Sequence, residues 1–349
     1  MDKRGKTTQI LVIRLSAMGD VAMTVPVITT LTKNYPELQF TILTKKSFMP
    51  IFHGMERVKV VETDVKKRHK GLIGLWRLYQ ELKPMQFDAV ADLHNVLRSR
   101  VLKKYFALDR IPFVQIDKGR KEKKALTRSK NKVFQQLKTT HQRYADVFTQ
   151  LGFTIDLEKA SPLKRQQLSE KLLNLVLQDT KKWVGIAPFA AHKGKMYPFS
   201  LMKEVVENLN DTGKYKILLF GGGPNETEQL QALSSSLNHT ICVAGKLNLS
   251  EELQLISNLD VMLSMDSGNA HLAANFGIPV VTVWGVTHPY AGFYPFHQPM
   301  ENAVLANREQ YPLIPTSIYG NKMPQGYESA METIQLQQIL EKLTTILEG

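Results

Sequence analysis

Leu259-Asp-Val-Met-Leu-Ser-Met-Asp-Ser-Gly-Asn-Ala-His-Leu-Ala-Ala-Asn-Phe-Gly-Ile-Pro-Val-Val-Thr-Val-Trp284 carries a strand, a tight turn, a helix and a second strand in sequence. Leu259–Ser264 is a short apolar run of the kind found in buried parallel strands, Ala270–Phe276 is good helix material, and Val280–Trp284 is a second buried strand. Asp266-Ser-Gly-Asn-Ala-His271 falls where the first strand hands over to the helix. A Ser-Gly pair there leaves backbone N–H groups at the positive end of a helix dipole, a seat for a phosphate or another anion. Asp and Ser are also favoured helix N-caps, so a purely structural reading uses the same residues.

Outward from this unit, apolar runs alternate with amphipathic segments, the pattern of parallel α/β layers. Expected strands in the first half are Gln9–Leu15, Gln39–Leu43, Val58–Val61, Phe87–Ala91 and Ile111–Gln115, with helices near Val21–Asn34, Leu72–Leu82 and Tyr144–Leu151. A polar, helical stretch from Glu158 to Lys182 marks the domain boundary. A second series follows at Trp183–Ala187, Lys216–Phe220, Thr240–Val243, Val261–Ser264 and Val280–Val283, then loops over 285–328 and a closing helix near Glu332–Leu347. The expected fold is therefore α/β, with two Rossmann-like, doubly wound parallel-sheet domains at 1–165 and 166–330. They should face a cleft where ligands bind at the carboxyl ends of the strands. The helix over 331–349 is expected to pack back towards the N-terminal domain.

The 349 residues are 43% hydrophobic and 22% charged, ordinary for a globular protein, and Cys242 is the only cysteine, so no intrachain disulfide forms. No run is long and apolar enough to span a membrane, and Met1–Lys6 leads into a strand without a signal-peptide core, so a cytoplasmic protein is expected. The net charge of +13 is divided unevenly: +18 over residues 1–165 and −5 over 166–349. Between Lys118 and Lys138 lie nine Lys/Arg and one acid, Glu122. The run reads as a solvated loop or as a surface meeting something anionic. It lacks the interleaved aromatics of single-strand binders, so no specific nucleic acid is expected, and an anionic glycolipid or membrane leaflet accounts for the charge equally well.

Several segments carry candidate chemistry. Strand one ends in Arg14-Leu-Ser-Ala-Met-Gly-Asp20, which has one glycine where a dinucleotide fingerprint needs three. Asp20 either caps the following helix or serves as a general base for a hydroxyl, and Arg14, odd in an apolar strand, requires an anionic partner. In Trp183–Pro198, Lys193 and Lys195 follow a strand and suit the charge growing on a departing diphosphate, unless they belong to a solvated loop. Phe220-Gly-Gly-Gly-Pro-Asn-Glu226 lacks the Walker lysine, so it is either a tight turn or a place where Glu226 binds a sugar hydroxyl. His94 and Arg98 follow a strand and suit an acceptor carboxylate or phosphate, while His271, on an apolar helix, reads as a packed histidine that orients the anion loop. No cluster has metal-ligand spacing, so no metal is expected.

These segments, in this order, resemble the lipopolysaccharide heptosyltransferases (glycosyltransferase family 9), whose fold is GT-B. The resemblance runs from Ile10 to about Tyr294 and rests on Arg14-x-Ser-x-x-Gly-Asp20 and Asp266-Ser-Gly-x-x-His271. It implies an inverting, metal-independent glycosyltransferase with Asp20 as catalytic base and Lys195 neutralising the leaving diphosphate. Lys193, Glu226, Asp266, Ser267, Gly268 and His271 would bind the nucleotide-sugar donor, with ADP-heptose as co-substrate and no further cofactor. Arg14, Ser16, Gly19, His94, Arg98 and Arg120 would meet an anionic glycolipid acceptor at the inner face of the membrane, on a monomeric enzyme. Rival readings are a basic nucleic-acid-binding protein, a transferase of the same fold with another donor sugar, and a dehydrogenase or epimerase on a dinucleotide fold.

Overall fold

A computed structural model describes residues 7–176 and 179–349, and its contacts divide the chain into two compact units. Unit 1 comprises Met1–Lys118 with Thr140–Ser161, and unit 2 comprises Gly119–Thr139 with Pro162–Gly349.

Unit 1 is built on five parallel strands: β1 (Thr8–Ile13), β2 (Leu38–Thr44), β3 (Val58–Glu62), β4 (Ala89–Asp92) and β5 (Phe113–Gln115). They lie in the order β3-β2-β1-β4-β5. Ile10, Leu11, Val12 and Ile13 are all buried, which requires cover on both faces of the sheet and explains why the strand reads as an unbroken apolar run. The expected helix over 21–34 is two pieces, Met18–Ala22 and Val25–Asn34, because Pro26 favours the first turn of a new helix over the interior of an old one. Helices Gly71–Leu82 and Leu97–Phe106 meet through ring contacts of Tyr79 with Phe106 and of Trp76 with Tyr105.

Unit 2 has six parallel strands: β6 (Lys182–Ala187), β7 (Tyr215–Leu219), β8 (Thr240–Cys242), β9 (Val261–Met265), β10 (Val280–Trp284) and β11 (Ala303–Leu305). The order is β8-β7-β6-β9-β10-β11. Strand β11 lies inside the stretch read as loop. The two expected Rossmann-like sheets are thus both present. In each, the winding reverses beside the first strand, between β1 and β4 and between β6 and β9. At such a reversal successive connections leave in opposite directions and open a crevice at the carboxyl ends.

Two expectations need correction. The closing helix, Leu336–Glu348, belongs to unit 2. Ile339, Leu343 and Leu347, spaced by one turn, enter the core of unit 2 beside Val205, Leu209 and Val281. Likewise the basic stretch 119–139 belongs to unit 2, although it lies within the sequence of the N-terminal half. It forms helix Arg120–Thr127, whose buried Leu126 joins Leu137 and Ala291 in a small cluster flanked by Phe134, Tyr290 and Phe293. Lys132 is no solvated lysine: its Nζ donates to the carbonyls of Leu126 (2.9 Å), Leu313 (2.9 Å) and Pro315 (2.8 Å). Recounted by unit, the charge is +9 in unit 1 and +4 in unit 2, so the contrast seen along the sequence is largely one of chain position. Leu343→Ala should destabilise unit 2 by about 2–5 kcal/mol, the usual range for a buried leucine, read as a lowered urea midpoint; an unchanged midpoint would contradict this burial.

Candidate active site

In unit 1 the chain leaves β1 with its first charged side chain still buried. Arg14 turns its guanidinium onto the carboxylate of Asp20 and donates from Nη1 to the Leu93 carbonyl at 2.7 Å. The required anionic partner is therefore a neighbouring carboxylate, and Arg14 ties the end of β1 to the end of β4. Asp20, with a quarter of its side chain exposed, sits in the first turn of Met18–Ala22 and accepts from the Ala17 N–H at 3.2 Å. It accepts from the N–H of the N-cap residue, as the capping reading held, and the same oxygen, Oδ2, receives Arg14. Gly19 lies in the same turn and the half-buried Ser16 just before it.

Across the reversal, the β4 loop is organised by a residue that sequence reasoning passed over. Asp92 is fully buried and accepts from the N–H groups of His94 and Asn95 (2.9 Å each) and from Gln115 Nε2 (2.8 Å). Its signal was a carboxylate closing the apolar run Phe87–Ala91. His94 accepts from the Leu15 N–H through Nδ1 at 3.4 Å, which brings it beside the Arg14–Asp20 loop. Burial, reinforced by the positive charge of Arg14 and Lys118, pushes the His94 imidazole down to about 3, against the pull of Asp20. Arg98 is exposed on the first turn of Leu97–Phe106, and Arg120 belongs to unit 2.

Unit 2 builds its own group at the corresponding reversal. After β6 the chain makes a single turn over Lys193–Lys195, and after β9 it passes Asp266 and Ser267 into helix Gly268–Asn275. Lys195 Nζ pairs with Asp266 Oδ2 at 2.7 Å, with side chains 16% and 7% exposed. A nearly buried ammonium is thus held across the β6–β9 gap, beside a helix N-terminus. Ser267 occupies the N-cap with extended backbone and no side-chain cap; its Oγ lies 3.0 Å from Ser264 Oγ. His271 is buried within this helix, as expected of a packed histidine.

The Lys195 loop fits because glycine supplies room on three sides, and only the structure reveals this. A Cβ on Gly320 would overlap the methylenes of Lys195, one on Gly194 would lie 2.8 Å from the Gly320 carbonyl, and one on Gly285 would strike Met331 and the Gly194 carbonyl. Val286 N–H closes the nest on Gly194 O at 2.9 Å. Two further donor candidates are Lys193, in the same turn as Lys195, and Glu226, after β7. Lys193 is exposed, and Glu226, in the first turn of Pro224–Ser235, accepts from the Gly222 N–H at 2.8 Å, which fixes the glycine turn. Among the described residues, no group of three His, Cys, Asp or Glu side chains is arranged to hold a metal ion.

The family model for glycosyltransferase family 9 (heptosyltransferase) matches residues 75–321, which include the His94 loop, the Lys195 turn and the Asp266 turn. The chain belongs to glycosyltransferase family 9. It is 26% identical over 304 residues to the lipopolysaccharide core heptosyltransferase OpsX of Haemophilus influenzae, covering 85% of this chain and 81% of that protein. In fold it is similar to a family 9 glycosyl transferase from Veillonella parvula, with a TM-score of 0.74 at 21% identity and 98% of each chain covered. It is also similar to the E. coli ADP-heptose LPS heptosyltransferase II, with a TM-score of 0.69 at 20% identity, covering 98% of this chain and 99% of that one. The protein is therefore a glycosyltransferase of GT-B fold, and the dehydrogenase reading falls away. The Arg14–Asp20 loop precedes the span matched by the family 9 model.

Two outcomes follow from this geometry. His94 should stay neutral until the pH nears about 3, seen as an imidazole resonance that does not titrate between pH 7 and 4. With a folded value below the unfolded 6.5, its contribution to stability is full above 6.5 and is lost as the pH falls from there towards 3. Gly320 has φ +77° and touches the Lys195 stem, so Gly320→Ala should displace the ammonium and lower turnover by up to about 10²-fold, the scale of an ångström's misplacement. Turnover equal to wild type would show that Lys195 does not depend on this nest.

Proposed function

We propose that this family 9 glycosyltransferase moves heptose from ADP-heptose to an anionic lipopolysaccharide core sugar, with inversion at the anomeric carbon. The observation that carries the reading is the Lys195–Asp266 pair beside the N-terminus of Gly268–Asn275. A diphosphate is the ligand for which a near-buried ammonium and helix N–H groups are the natural complement. The names of the related proteins supply the sugar: lipopolysaccharide core heptosyltransferase and ADP-heptose LPS heptosyltransferase.

In the proposed reaction the acceptor hydroxyl attacks the anomeric carbon opposite the diphosphate and gives its proton to Asp20. The bond from that carbon to the diphosphate oxygen breaks, its electron pair leaves with ADP, and a single displacement inverts the centre. Lys195 and the Ser267–Gly268 amides stabilise the charge growing on the departing diphosphate, where it counts towards the rate because it is larger in the transition state than in the bound donor. Glu226 is assigned to the ribose, Lys193 to the outer phosphate face, and His271 to holding the helix in place. His94, kept neutral, and the exposed Arg98 are assigned to the acceptor. Arg14 acts through Asp20 as a positioning residue.

Asp20→Asn should lower turnover with ADP-heptose and a core acceptor by about 10²-fold or more, the usual share of a general base. ADP binding, followed by calorimetry, should remain close to wild type, since Asp20 lies in unit 1 and the Lys195 pair in unit 2. Near-normal turnover in that variant removes Asp20 from the chemistry, and loss of ADP binding would mean that it holds the donor instead.

A further inference from the structure

Helix Gly71–Leu82 is apolar on the wrong side as well as the right one. Leu75, Leu78, Tyr79 and Leu82 face the core of unit 1, as an amphipathic helix requires. Its first two turns also turn Leu72 (65% exposed), Ile73 (81%) and Trp76 outward, and Leu97 (78%) stands out from the first turn of the neighbouring helix. Isolated apolar residues on a surface need no explanation, but Leu, Ile and Trp grouped on adjoining positions of one helix do.

Their surroundings are cationic. Residues 66–77 and 97–104 contain nine Lys/Arg and no Asp or Glu. Lys66, Lys67 and Lys70, in the turn leading into the helix, and Arg77 within it are all exposed. Of the carboxylates around it, Asp64 accepts from the N–H groups of Lys66 and Lys67, Glu81 pairs with Arg68, and Glu62 also acts on Arg68. Trp76 is braced edge-on against Tyr105 at 5.1 Å between ring centroids, and the Tyr105 hydroxyl donates to the Leu72 carbonyl at 3.3 Å. The patch is therefore held rigid in the folded unit.

The geometry points to this helix as a docking surface for an anionic lipid bilayer. Leu72, Ile73 and Trp76 would enter the headgroup boundary, while Lys66, Lys67 and Lys70 rest on acidic headgroups. An apolar centre with a basic surround is what interfacial attachment needs, since neither burial nor charge alone gives firm binding. Nucleic acid would match the charge but leave Leu72 and Ile73 in water, and a second copy of this basic chain would bring like charges together. No helix among the described residues is long and apolar enough to cross a membrane, so attachment of this kind would be peripheral. The inference shares with the proposed function the idea of a lipid-borne acceptor but is measured without any turnover.

The test is sedimentation of the full chain with vesicles of phosphatidylcholine alone or mixed with phosphatidylglycerol. Wild type should pellet with the mixed vesicles, weakly with the neutral ones, and less as salt rises. Leu72→Ser with Ile73→Glu, both at strongly exposed positions, should abolish pelleting at an unchanged melting temperature. Replacing Lys66, Lys67 and Lys70 by Ser should weaken it by roughly 100-fold, at about fivefold per cation near such a surface. Failure of wild type to bind, or variants that bind as wild type does, would overturn the assignment. So would retention of duplex DNA in place of vesicles, or a dimer that Ile73→Glu dissociates without any vesicle binding. A chain that binds vesicles yet transfers no heptose would instead count against the proposed reaction and leave this surface standing.

Discussion

Both units depend on the same constraint: a parallel sheet whose winding reverses cannot cover the carboxyl ends of the two strands at the reversal. The loops that follow β1 and β4, and those that follow β6 and β9, must therefore stand side by side with a gap between them. In each case the protein spans that gap with a buried or nearly buried cation. Arg14 joins Asp20 to the Leu93 carbonyl after β4, and Lys195 reaches from the β6 loop to Asp266 after β9. Apart from Glu226, which follows β7, everything assigned to chemistry lies on one of these loops or in the helix it leads into.

Such pairs contribute little to net stability, because desolvating two charges offsets most of their attraction, but removing one partner strands the other and is costly. Their value is geometric. Lys195 has four rotatable carbons and would wander in water, yet Asp266 fixes its head while Gly194 and Gly320 leave room for its stem. Asp20 is fixed in the same manner by Arg14 and the Ala17 N–H. The groups proposed for catalysis are thereby set before any ligand arrives, an arrangement that would lower the reorganisation needed during reaction.

The two sheets were legible in the sequence because buried parallel strands such as Ile10–Ile13 and Ile217–Leu219 are short continuous apolar runs. The Asp266 turn was legible for a related reason: a strand, a Ser-Gly pair and a helix in that order leave little choice of local geometry. What stayed hidden depends on partners distant in sequence. Gly320 gives no hint that it lies against Lys195, and Asp92 reads as one more surface carboxylate until Gln115 and the His94 loop are folded onto it. The closing helix has a clear apolar stripe at Ile339, Leu343 and Leu347, but a stripe states that a core is needed, not which one. Charge misled for the same reason, since Lys118–Lys138 lies in the first half of the sequence and largely in the second unit of the fold.

That excursion has a consequence for how the protein is made. Unit 1 is not a continuous stretch: its helix Thr140–Gln150 follows the segment that belongs to unit 2. As the chain emerges from the ribosome, the first sheet waits for that helix to arrive, and Leu126, Phe134 and Leu137 wait longer still for Ala291 and Tyr290. A nascent chain halted between these points would carry unpaired apolar side chains, the state in which chaperones recognise their clients. Expression of either lobe from a contiguous gene fragment would meet the same difficulty, because no single cut frees one whole lobe from a piece of the other.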